Sequence, residues 1–297
     1  MGLIQNAQIV TVIVPAYNHE KYIIECLESI HQQTFRNFQW IVVDDGSKDS
    51  TPQILQANKN KYGYELILQK NKGLSQTLTD VLKDYAVGKY VCICASDDFW
   101  CVDKLEKQLR FMEANPEYAM CYGRTYNIDI NSNILGVENY TKYKGGMIFE
   151  EIIMQKFHPP VNYMIRRDVL RELGYYKGGV IAEDFYMNCL IAYKYPIGYI
   201  PEILGYYRIA ELQKKRDPYL LYKSHEDTIN LFKKEAVYSK AYSLHCLRCF
   251  MMLSVYKRYK LLSLKYFFKS FKSFKSLKNI FAMDALRGYF HLISYWQ

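Results

Sequence analysis

Short apolar runs alternate with amphipathic stretches along the first 115 residues of the chain. Residues Ile9–Pro15 (IVTVIVP) form a mostly β-branched run, which is typical of a strand buried on both faces of a sheet. Between Tyr22 and Gln33 the apolar positions recur instead at the spacing of one helix face. The alternation continues, and the predicted order over residues 1–115 is β-α-β-α-β-α-β-α. This order predicts a parallel sheet with helices on both faces.

The later segments depart from this pattern. Residues 116–210 are more irregular and contain glycine- and proline-rich loops. From about Asp217 the pattern is helical to the end of the chain. We therefore predict an α/β domain over residues 1–212, divided near residue 115, and a helical region over residues 213–297. Within the first 115 residues the other predicted strands are Phe38–Val43, Glu65–Gln69 and Tyr90–Ala95, and the other predicted helices begin near Pro52, at Gly73 and at Asp103.

Polar residues follow three of these strands directly, at Pro15–Asn18, Asp44–Ser47 and Ser96–Asp98. The carboxyl ends of parallel strands lie at the same edge of a sheet, and ligands bind there. Asp97 and Asp98 stand out, because adjacent half-buried carboxylates repel each other unless a positive charge is nearby. The alternative is that the pair caps the following helix, whose dipole favours acids. By itself the Asp-Asp pair favours the helix-cap interpretation.

No phosphate-binding loop of a known type accompanies the sheet. The sequence has no G-x-G-x-x-G after the first strand and no G-x-x-x-x-G-K-[ST] anywhere. Phosphate charge at this edge would therefore have to be balanced in another way. A divalent cation held by carboxylates is the obvious alternative, because hard cations bind carboxylate and phosphate oxygens together and need few protein ligands. Asp97 and Asp98 at the strand end would suit such a cation, Mn²⁺ or Mg²⁺.

Length and composition limit the class of protein. A chain of 297 residues that is half hydrophobic can bury one large α/β core and carry an appendage. Its eight cysteines follow no secretory signal and include no second Cys/His pair at zinc spacing, so we expect reduced thiols in a cytosolic compartment. The sequence has no apolar run long enough to span a bilayer.

Four blocks occur in a fixed order between Ile9 and about Asn115, namely VPAYNHE, IVVDDGSKDSTPQIL, NKGLS and ASDDFWCVDKLEKQ. In order and spacing they resemble the start of the family 2 glycosyltransferases. A weaker match continues through LGYYKGGVIAEDFYMNCL and IPEILGYYRI and stops before the helical region. The resemblance implies a GT-A fold, with a nucleotide-binding half over residues 1–115 and an acceptor half over residues 116–212. It also implies inverting transfer from a nucleotide-diphosphate sugar with a divalent cation.

The resemblance assigns roles on the nucleotide side. Tyr17 would lie near the base, Asp45 would bond the edge of the base, and Asp44 would support the loop. Asp98 would be the metal ligand. The full set of implied nucleotide-binding residues is Pro15, Ala16, Tyr17, Glu20, Asp44, Asp45, Lys72 and Asp97.

The resemblance also assigns roles in catalysis. Asp184 would be the catalytic base, with Glu183 as its companion, and Arg208 would face the diphosphate or close a loop over it. Inverting transfer needs a carboxylate to take the proton of the acceptor hydroxyl, and it needs separate stabilisation of the departing diphosphate. Carboxylates near Asp98 and near Asp184 divide these two tasks. The alternative for Asp184 is an acid that only stabilises a helix N-terminus.

The sequence departs from the family pattern at several positions. The family usually has Ala-Arg-Asn in the helix after N-x-G, where this chain has NKGLSQTLTDV, so Lys72 would have to supply the missing nucleotide contact. Many members carry a histidine where this chain has Ala210. The Gln-x-x-Arg-Trp motif of processive polysaccharide synthases is absent, which favours the addition of one sugar per encounter.

Acceptor contacts are expected from the irregular region after residue 116. The candidates are His158 in FHPPVNY, together with Asn162 and Arg166 that follow it. A lone histidine is more often structural or solvated than catalytic, which is the alternative for His158.

The C-terminal region is strongly basic. Of a formal net charge of +9 for the chain, Tyr256 to Arg287 contributes nine Lys/Arg against one acid. Lys269, Lys272, Lys275 and Lys278 recur every three residues between aromatic and apolar residues. This composition suits an anionic membrane surface. The alternative is a helical bundle with its apolar face packed and its lysines solvated; nucleic acid is not expected, because no binding motif accompanies the basic run.

Together these features predict a glycosyltransferase that moves one sugar from a nucleotide-diphosphate sugar, expected to be a UDP-sugar, to a glycan or lipid-linked acceptor. The expected process is surface polysaccharide synthesis at the cytoplasmic face of the plasma membrane. A nucleotidyltransferase would share the sheet and the metal, but it normally needs a glycine-rich basic loop after the first strand. A non-catalytic partner subunit would explain the missing arginine and histidine. The sequence makes no prediction of the oligomeric state.

Overall fold

The structure, a computed structural model, describes residues 9–137, 143–209 and 217–271. Strands and helices alternate through the first half of these ranges. The strands are β1 Val10–Ala16, β2 Phe38–Asp44, β3 Glu65–Leu68, β4 Tyr90–Ile93, β5 Phe99–Trp100, β6 Met120–Ile128, β7 Ile134–Val137, β8 Met164–Arg166 and β9 Ile197–Arg208. The helices are α1 Ile23–His31, α2 Thr51–Tyr62, α3 Leu74–Asp84, α4 Lys104–Ala114, α5 Phe149–Ile153, α6 Arg167–Glu172, α7 Glu183–Lys194, α8 Pro218–Ile229, α9 Tyr238–Ser254 and α10 Lys260–Ser270.

The described strands form one sheet in the order β3-β2-β1-β4-β8-β6-β9-β5, with β7 paired to β6. The β3-β2-β1-β4 half is parallel throughout. Val10, Val12 and Val14 of β1 are fully buried, which explains why this strand has an unbroken apolar run. The predicted α/β class with a mostly parallel sheet is confirmed.

The other half of the sheet is mixed. Strand β8 is antiparallel to β4 and β6, β5 is antiparallel to β9, and β6 and β9 are parallel. The pattern YPIGYIPEILGYYR, residues 195–208 of the irregular region, predicts a strand and a turn, whereas the structure has one strand of 12 residues there. Strand β6 was not predicted. Its register with β9 shifts on both sides of Arg124, and such shifts break the two-residue periodicity by which strands are recognised.

The chain divides into two compact units. The N-terminal unit comprises Met1–Ile148 and Pro159–Gln213, and the C-terminal unit comprises Phe149–His158 and Lys214–Gln297. Segment 149–158, which the sequence analysis placed in the acceptor half, groups with the C-terminal unit. Its contacts explain this, because Arg248 of α9 donates hydrogen bonds to the carbonyls of Met154 and Gln155.

The C-terminal unit consists of packed helices, which confirms the predicted helical region. Glu226 of α8 is buried, and its carboxylate accepts hydrogen bonds from the hydroxyls of Tyr242 and Tyr266 and from Lys269 Nζ. These contacts join α8 to α9 and α10. None of the helices in the described ranges has both the length and the apolar character needed to cross a membrane. Lys272, Lys275 and Lys278 lie outside the described residues.

Candidate active site

The loop after β1 forms one side of the candidate site, at the carboxyl edge of the parallel strands. Pro15 and Ala16 are the last residues of β1, and Ala16 lies in register with Asp44 of β2. The Ala16 carbonyl accepts a hydrogen bond of 2.9 Å from the Asp45 N–H. Tyr17 follows and is 45% exposed. Its ring is therefore accessible to a ligand at this edge.

Asp44 organises the turn after β2. Its Oδ2 accepts hydrogen bonds of 3.1 and 3.0 Å from the N–H groups of Gly46 and Ser47. Gly46 has a φ of 75°, in the left-handed region that favours glycine. Asp44 Oδ1 is buried and has no hydrogen-bond partner among the described residues. Because buried carboxylate oxygens normally have a partner, this atom is placed to accept a hydrogen bond from a water molecule or a ligand.

Asp45 organises the loop between β3 and α3. Its Oδ1 accepts hydrogen bonds of 2.8 Å from Gln69 Nε2 and from the Lys72 N–H, and its Oδ2 accepts one of 2.9 Å from the Gly73 N–H. The contact of Asp45 with a base edge stays a prediction. The Lys72 ammonium pairs with Asp80 at 2.7 Å on the protein surface, so the predicted nucleotide contact of Lys72 would require this pair to open.

The loops that follow β1 and β2 are joined by reciprocal hydrogen bonds. Glu20 Oε2 accepts from the Ser50 N–H at 2.8 Å, and Asp49 Oδ2 accepts from the Glu20 N–H at 3.1 Å. Burial raises the pKa of Asp49, but hydrogen bonds from Thr51 and Glu20 outweigh this effect and hold the pKa below its ordinary value. Glu20 therefore connects the two loops. Its predicted contact with the nucleotide stays a prediction.

The acidic pair lies in the turn between β4 and β5. Asp98 is 7% exposed, and its Oδ1 accepts a hydrogen bond of 2.8 Å from the Arg208 N–H. Asp97 Oδ2 lies 3.8 Å from His19 Nε2. The pair does not cap the next helix, because α4 begins at Lys104. The structure thus rules out the helix-cap interpretation.

Arg208 is 1% exposed and directs its guanidinium into the protein. Its Nε donates to the Asp97 carbonyl and its Nη1 to the Asp129 carbonyl, both at 2.8 Å. Both terminal nitrogens also donate to Ser132 Oγ at 3.1 Å, and Nη2 donates to Glu25 Oε2. These contacts use all five guanidinium hydrogens. The predicted diphosphate contact of Arg208 would therefore compete with protein acceptors, and it stays a prediction.

Asp184 and Glu183 begin α7 and are both half-buried. Asp184 Oδ1 accepts a hydrogen bond of 2.7 Å from the Phe185 N–H at the N-terminal end of the helix. Burial raises the pKa of nearby Tyr176, and the negative charges of Glu183 and Asp184 raise it further. Asp184 is thus an ionisable group at a fixed helix end, as a base requires, and its catalytic role stays a prediction.

Helix α3 connects the Asp45 loop to the segment before α7. Ser75 Oγ donates a hydrogen bond of 2.6 Å to the Val180 carbonyl, and Thr79 Oγ1 donates one of 2.7 Å to the Tyr176 carbonyl. Ser75 and Thr79 belong to NKGLSQTLTDV, where the sequence departs from the family pattern. In the structure these two side chains therefore fix the backbone at Tyr176 and Val180, which precede Asp184 in the chain.

Two of the three candidate acceptor residues, Asn162 and Arg166, have structural contacts within the sheet. Asn162 is 1% exposed, and its side-chain amide bonds the backbone of Gly123 in β6. Arg166 pairs with Tyr90, the first residue of β4, so it lies at the opposite edge of the sheet from the acidic pair. We therefore leave Asn162 and Arg166 out of the proposed site. His158 belongs to the C-terminal unit, and its role stays a prediction.

The acidic pair has the donor chemistry for a hard divalent cation that also binds phosphate oxygens. Asp98 is the better ligand of the two, because its carboxylate is buried and oriented by the Arg208 N–H. In the described part of the chain, no group of three or more His, Cys, Asp or Glu side chains lies together where it could hold a metal ion. The residues therefore fit a cation shared with a diphosphate rather than one held in a protein cage.

Two residues near the acidic pair were not predicted from the sequence: His19, which contacts the turn itself, and Glu25, which contacts Arg208. His19 Nδ1 lies 2.7 Å from Ser96 Oγ, within hydrogen-bonding distance. The location of His19 in the first strand-end loop could have indicated it. Glu25 had no such signal, because an acid in the first turn of an amphipathic helix is ordinary. Its partner Arg208 lies 183 residues away in sequence.

A family model decides the identity of this arrangement. The model of glycosyl transferase family 2 matches residues 11–174, which is more than half of the chain. The chain belongs to glycosyl transferase family 2. The match includes the strand-end loops and the acidic pair and ends before α7.

Curated relatives agree with the family. This family 2 member is 29% identical over 236 residues to an uncharacterized glycosyltransferase of Methanocaldococcus jannaschii, covering 78% of this chain and 77% of that protein. It is 33% identical over 133 residues to a chondroitin synthase of Escherichia coli, covering 44% of this chain. Those residues are 19% of the chondroitin synthase, so the chain corresponds to a small part of that protein.

Solved structures confirm the GT-A fold. The Staphylococcus aureus protein TarS, residues 1–349 in complex with UDP-GlcNAc, superposes with a TM-score of 0.63 at 22% identity, covering 80% of this chain and 70% of that one. The mannosyltransferase PcManGT of Pyrobaculum calidifontis, in complex with GDP-Man and Mn²⁺, superposes with a TM-score of 0.52 at 18% identity. It covers 90% of this chain and 86% of that one.

Proposed function

We propose that this family 2 member is an inverting, metal-dependent enzyme that transfers one sugar from a UDP-sugar to a glycan or lipid-linked acceptor in surface polysaccharide synthesis. One observation carries the proposal: the acidic pair and the loop after β1 meet at the carboxyl edge, where His19 contacts Ser96 and approaches Asp97. The UDP-GlcNAc complex of TarS supports the donor class. The name of the E. coli relative supports a role in polysaccharide synthesis.

The donor would bind along this edge. The exposed ring of Tyr17 is suited to pack on the base, and Asp44 Oδ1 is suited to accept a hydrogen bond from the donor. Asp97 would accept from a ribose hydroxyl. The diphosphate would then extend toward Asp98.

Asp184 would act as the base. Its carboxylate would remove the proton from the acceptor hydroxyl as that oxygen forms a bond to the anomeric carbon. The bond from the anomeric carbon to the diphosphate oxygen breaks, and the UDP oxygen keeps the electron pair. Attack from the face opposite UDP inverts the anomeric centre. The hydrogen bond from the Phe185 N–H to Oδ1 would orient the carboxylate for this task.

Asp98, with Asp97 beside it, would hold Mn²⁺ or Mg²⁺. When bound, the cation would neutralise charge on the departing diphosphate. The Mn²⁺ in the PcManGT complex supports this assignment. The contribution of the chain is to present Asp98 in a fixed orientation, through its hydrogen bond from the Arg208 N–H.

A thermal-shift series with UDP, GDP, dTDP and CMP, with and without Mn²⁺, tests the site. A nucleotide at 100 times its Kd should stabilise the fold by about 2.7 kcal/mol. We expect stabilisation by UDP that requires Mn²⁺ and is lost in Asp98→Asn. We expect Asp184→Asn to keep UDP binding and to lose turnover by roughly a hundredfold to ten-thousandfold. Absence of a shift with every nucleotide would contradict the enzyme and favour a non-catalytic partner subunit.

We also propose that the C-terminal unit attaches to an anionic membrane surface on the cytoplasmic side. Helix α10 exposes Leu261 (85%) and Phe268 (69%), and Lys260 and Lys265 on the same helix are exposed as well. Exposed apolar side chains beside lysines suit the boundary between headgroups and acyl chains. Each lysine near such a surface contributes about 1 kcal/mol. This attachment would bring the enzyme to a lipid-linked acceptor.

Vesicle sedimentation tests the attachment. We expect binding to phosphatidylglycerol-containing vesicles and not to pure phosphatidylcholine vesicles, with a loss of binding in the double variant Leu261→Ser/Phe268→Ser. Leu231→Ser is the matched control, because Leu231 is 53% exposed in the same unit but lies outside α10. Equal sedimentation of the double variant and the control would overturn this part of the proposal.

A further inference from the structure

The turn that carries the acidic pair is held by a cluster of three side chains, those of Arg208, Glu25 and Ser132. Arg208 contacts this turn twice through its own atoms: its N–H donates to Asp98 Oδ1, and its Nε donates to the Asp97 carbonyl. The orientation of Asp98 therefore depends on where Arg208 lies. Arg208 in turn depends on the groups that bind its two terminal nitrogens.

Those groups are Glu25 of α1 and residues of the turn between β6 and β7. Glu25 Oε2 and Ser132 Oγ both accept from Arg208, and Ser132 Oγ donates to Glu25 Oε2 at 2.8 Å. The Asp129 carbonyl accepts from Nη1. The guanidinium carbon also lies 4.5 Å from the centre of the Tyr22 ring. The guanidinium is thus held by three segments of the chain: the acidic turn, the N-terminal end of α1, and the turn between β6 and β7.

The backbone at Ser132 supports the same conclusion. Ser132 has a φ of 65°, in the left-handed region that non-glycine residues rarely adopt. Such a conformation persists only where surrounding contacts maintain it. Here it allows one hydroxyl to accept from both terminal nitrogens of Arg208 and to donate to Glu25. The turn is therefore shaped around the arginine.

We infer that Glu25, Ser132 and Arg208 are positioning residues that set the affinity of the acidic pair for the cation and the diphosphate. None of them need touch the ligand. Glu25 and Ser132 act through the Arg208 guanidinium, whose Nε holds the Asp97 carbonyl and with it the backbone of the acidic turn. This inference rests on the proposed function, because it requires the acidic pair to bind a metal–nucleotide ligand.

The negative charge of Glu25 can be removed with little change in the size and shape of the side chain. Glu25→Gln keeps an oxygen that can accept from Arg208 but removes the negative charge facing the guanidinium. Hydrogen bonds between charged groups are about twice as strong as neutral ones. The change should loosen Arg208 without removing any atom that contacts Asp97 or Asp98.

Glu28→Gln provides a matched control. Glu28 lies on the same helix, one turn further on, and is exposed; its carboxylate accepts from the Tyr62 hydroxyl at 3.2 Å and makes no contact with Arg208. The chemical change is identical in the two variants. Any difference between them therefore reports the partner and not the substitution.

Calorimetric titration of the full chain with UDP in Mn²⁺ tests the inference, at a temperature where all variants are folded. We expect Glu25→Gln to weaken UDP binding roughly fivefold to tenfold relative to Glu28→Gln, and to raise the Mn²⁺ concentration needed for half-maximal binding. Ser132→Ala should weaken binding in the same direction, since it removes the hydroxyl that joins Glu25 to Arg208. In turnover assays the KM for the donor should rise while kcat stays within about twofold of the control.

The results distinguish a failure of this inference from a failure of the proposed function. UDP and Mn²⁺ affinities that are equal in Glu25→Gln and Glu28→Gln, with a lower Tm in Glu25→Gln alone, would show a merely structural role and would overturn the inference while leaving the proposed function intact. Failure of the wild-type protein to bind UDP with Mn²⁺ would overturn both.

Discussion

Each compact unit contains a buried charged side chain with several hydrogen bonds, Arg208 in one and Glu226 in the other, and the two differ in what surrounds them. In the N-terminal unit, Arg208 contacts the acidic turn, α1 and the turn between β6 and β7. In the C-terminal unit, Glu226 contacts only neighbouring helices, through Tyr242, Tyr266 and Lys269. Both charges are well supplied with hydrogen bonds, as burial requires. The Arg208 network therefore holds a candidate site in place, whereas the Glu226 network holds helices together.

Arg208→Met should have the largest effect. Removing the buried guanidinium leaves the Asp97 and Asp129 carbonyls and the partly exposed Glu25 without this donor, which should cost about 4 kcal/mol of unfolding free energy. Mn²⁺-dependent UDP binding should be lost as well. Chemical denaturation and calorimetry measure the two effects. Arg110→Met is the control, because Arg110 is 78% exposed in its pair with Glu106. Unchanged UDP affinity in a folded Arg208→Met protein would show that the Arg208 network does not act on the site.

Glu226→Ala should come next, with a loss of about 3 kcal/mol of unfolding free energy, because three donors lose their shared acceptor. UDP affinity should stay at the wild-type value, in contrast to Arg208→Met. Asp227→Ala serves as the control, since its side chain is 62% exposed. A change in UDP affinity in Glu226→Ala would show that the C-terminal network also acts on the site.

Acid should affect the C-terminal unit through His245. Burial, together with smaller effects of the nearby His225 and Arg248, lowers the pKa of His245 to about 3 against the opposing charge of Glu226. Between this value and the ordinary histidine pKa of about 6.5 the unfolded chain binds the proton and the folded unit does not. The unfolding free energy should therefore fall by about 2 kcal/mol from pH 7 to pH 5. Denaturation curves across this range measure the slope, which should be smaller in His245→Gln; an equal slope would contradict the assignment.

Asp49→Asn should have the smallest effect, about 1 kcal/mol at pH 7. The pKa of Asp49 is lowered in the folded state, so its stabilisation is present above its unfolded value of 3.8 and is lost as the pH falls through the folded value. Wild type and Asp49→Asn should therefore converge in stability below that pH. Divergence that persists in acid would mean that the substitution disturbs the loop sterically.

Family membership and the α/β class were predictable from the sequence, because the strand-end motifs and the alternation of apolar periods are local features. The helix-cap interpretation of Asp97 and Asp98 could be excluded only from the structure, which starts α4 at Lys104. The structural role of Asn162 could not be predicted from the sequence. Nothing local indicates that its amide bonds the irregular stretch of β6, since that stretch was not recognised as a strand.

The sequence alone predicts that Asp44, Asp45 and the acidic pair share one edge of a sheet, because parallel strands place their carboxyl ends together. The orientation of Asp98, in contrast, depends on tertiary contacts that no local pattern predicts. Its neighbour Arg208 meets Glu25 across 183 residues of sequence, and such a contact exists only once β9, α1 and the acidic turn have packed. Sequence periodicity reports which face of an element is buried, whereas the partner of a buried charge is set by the packing of distant elements.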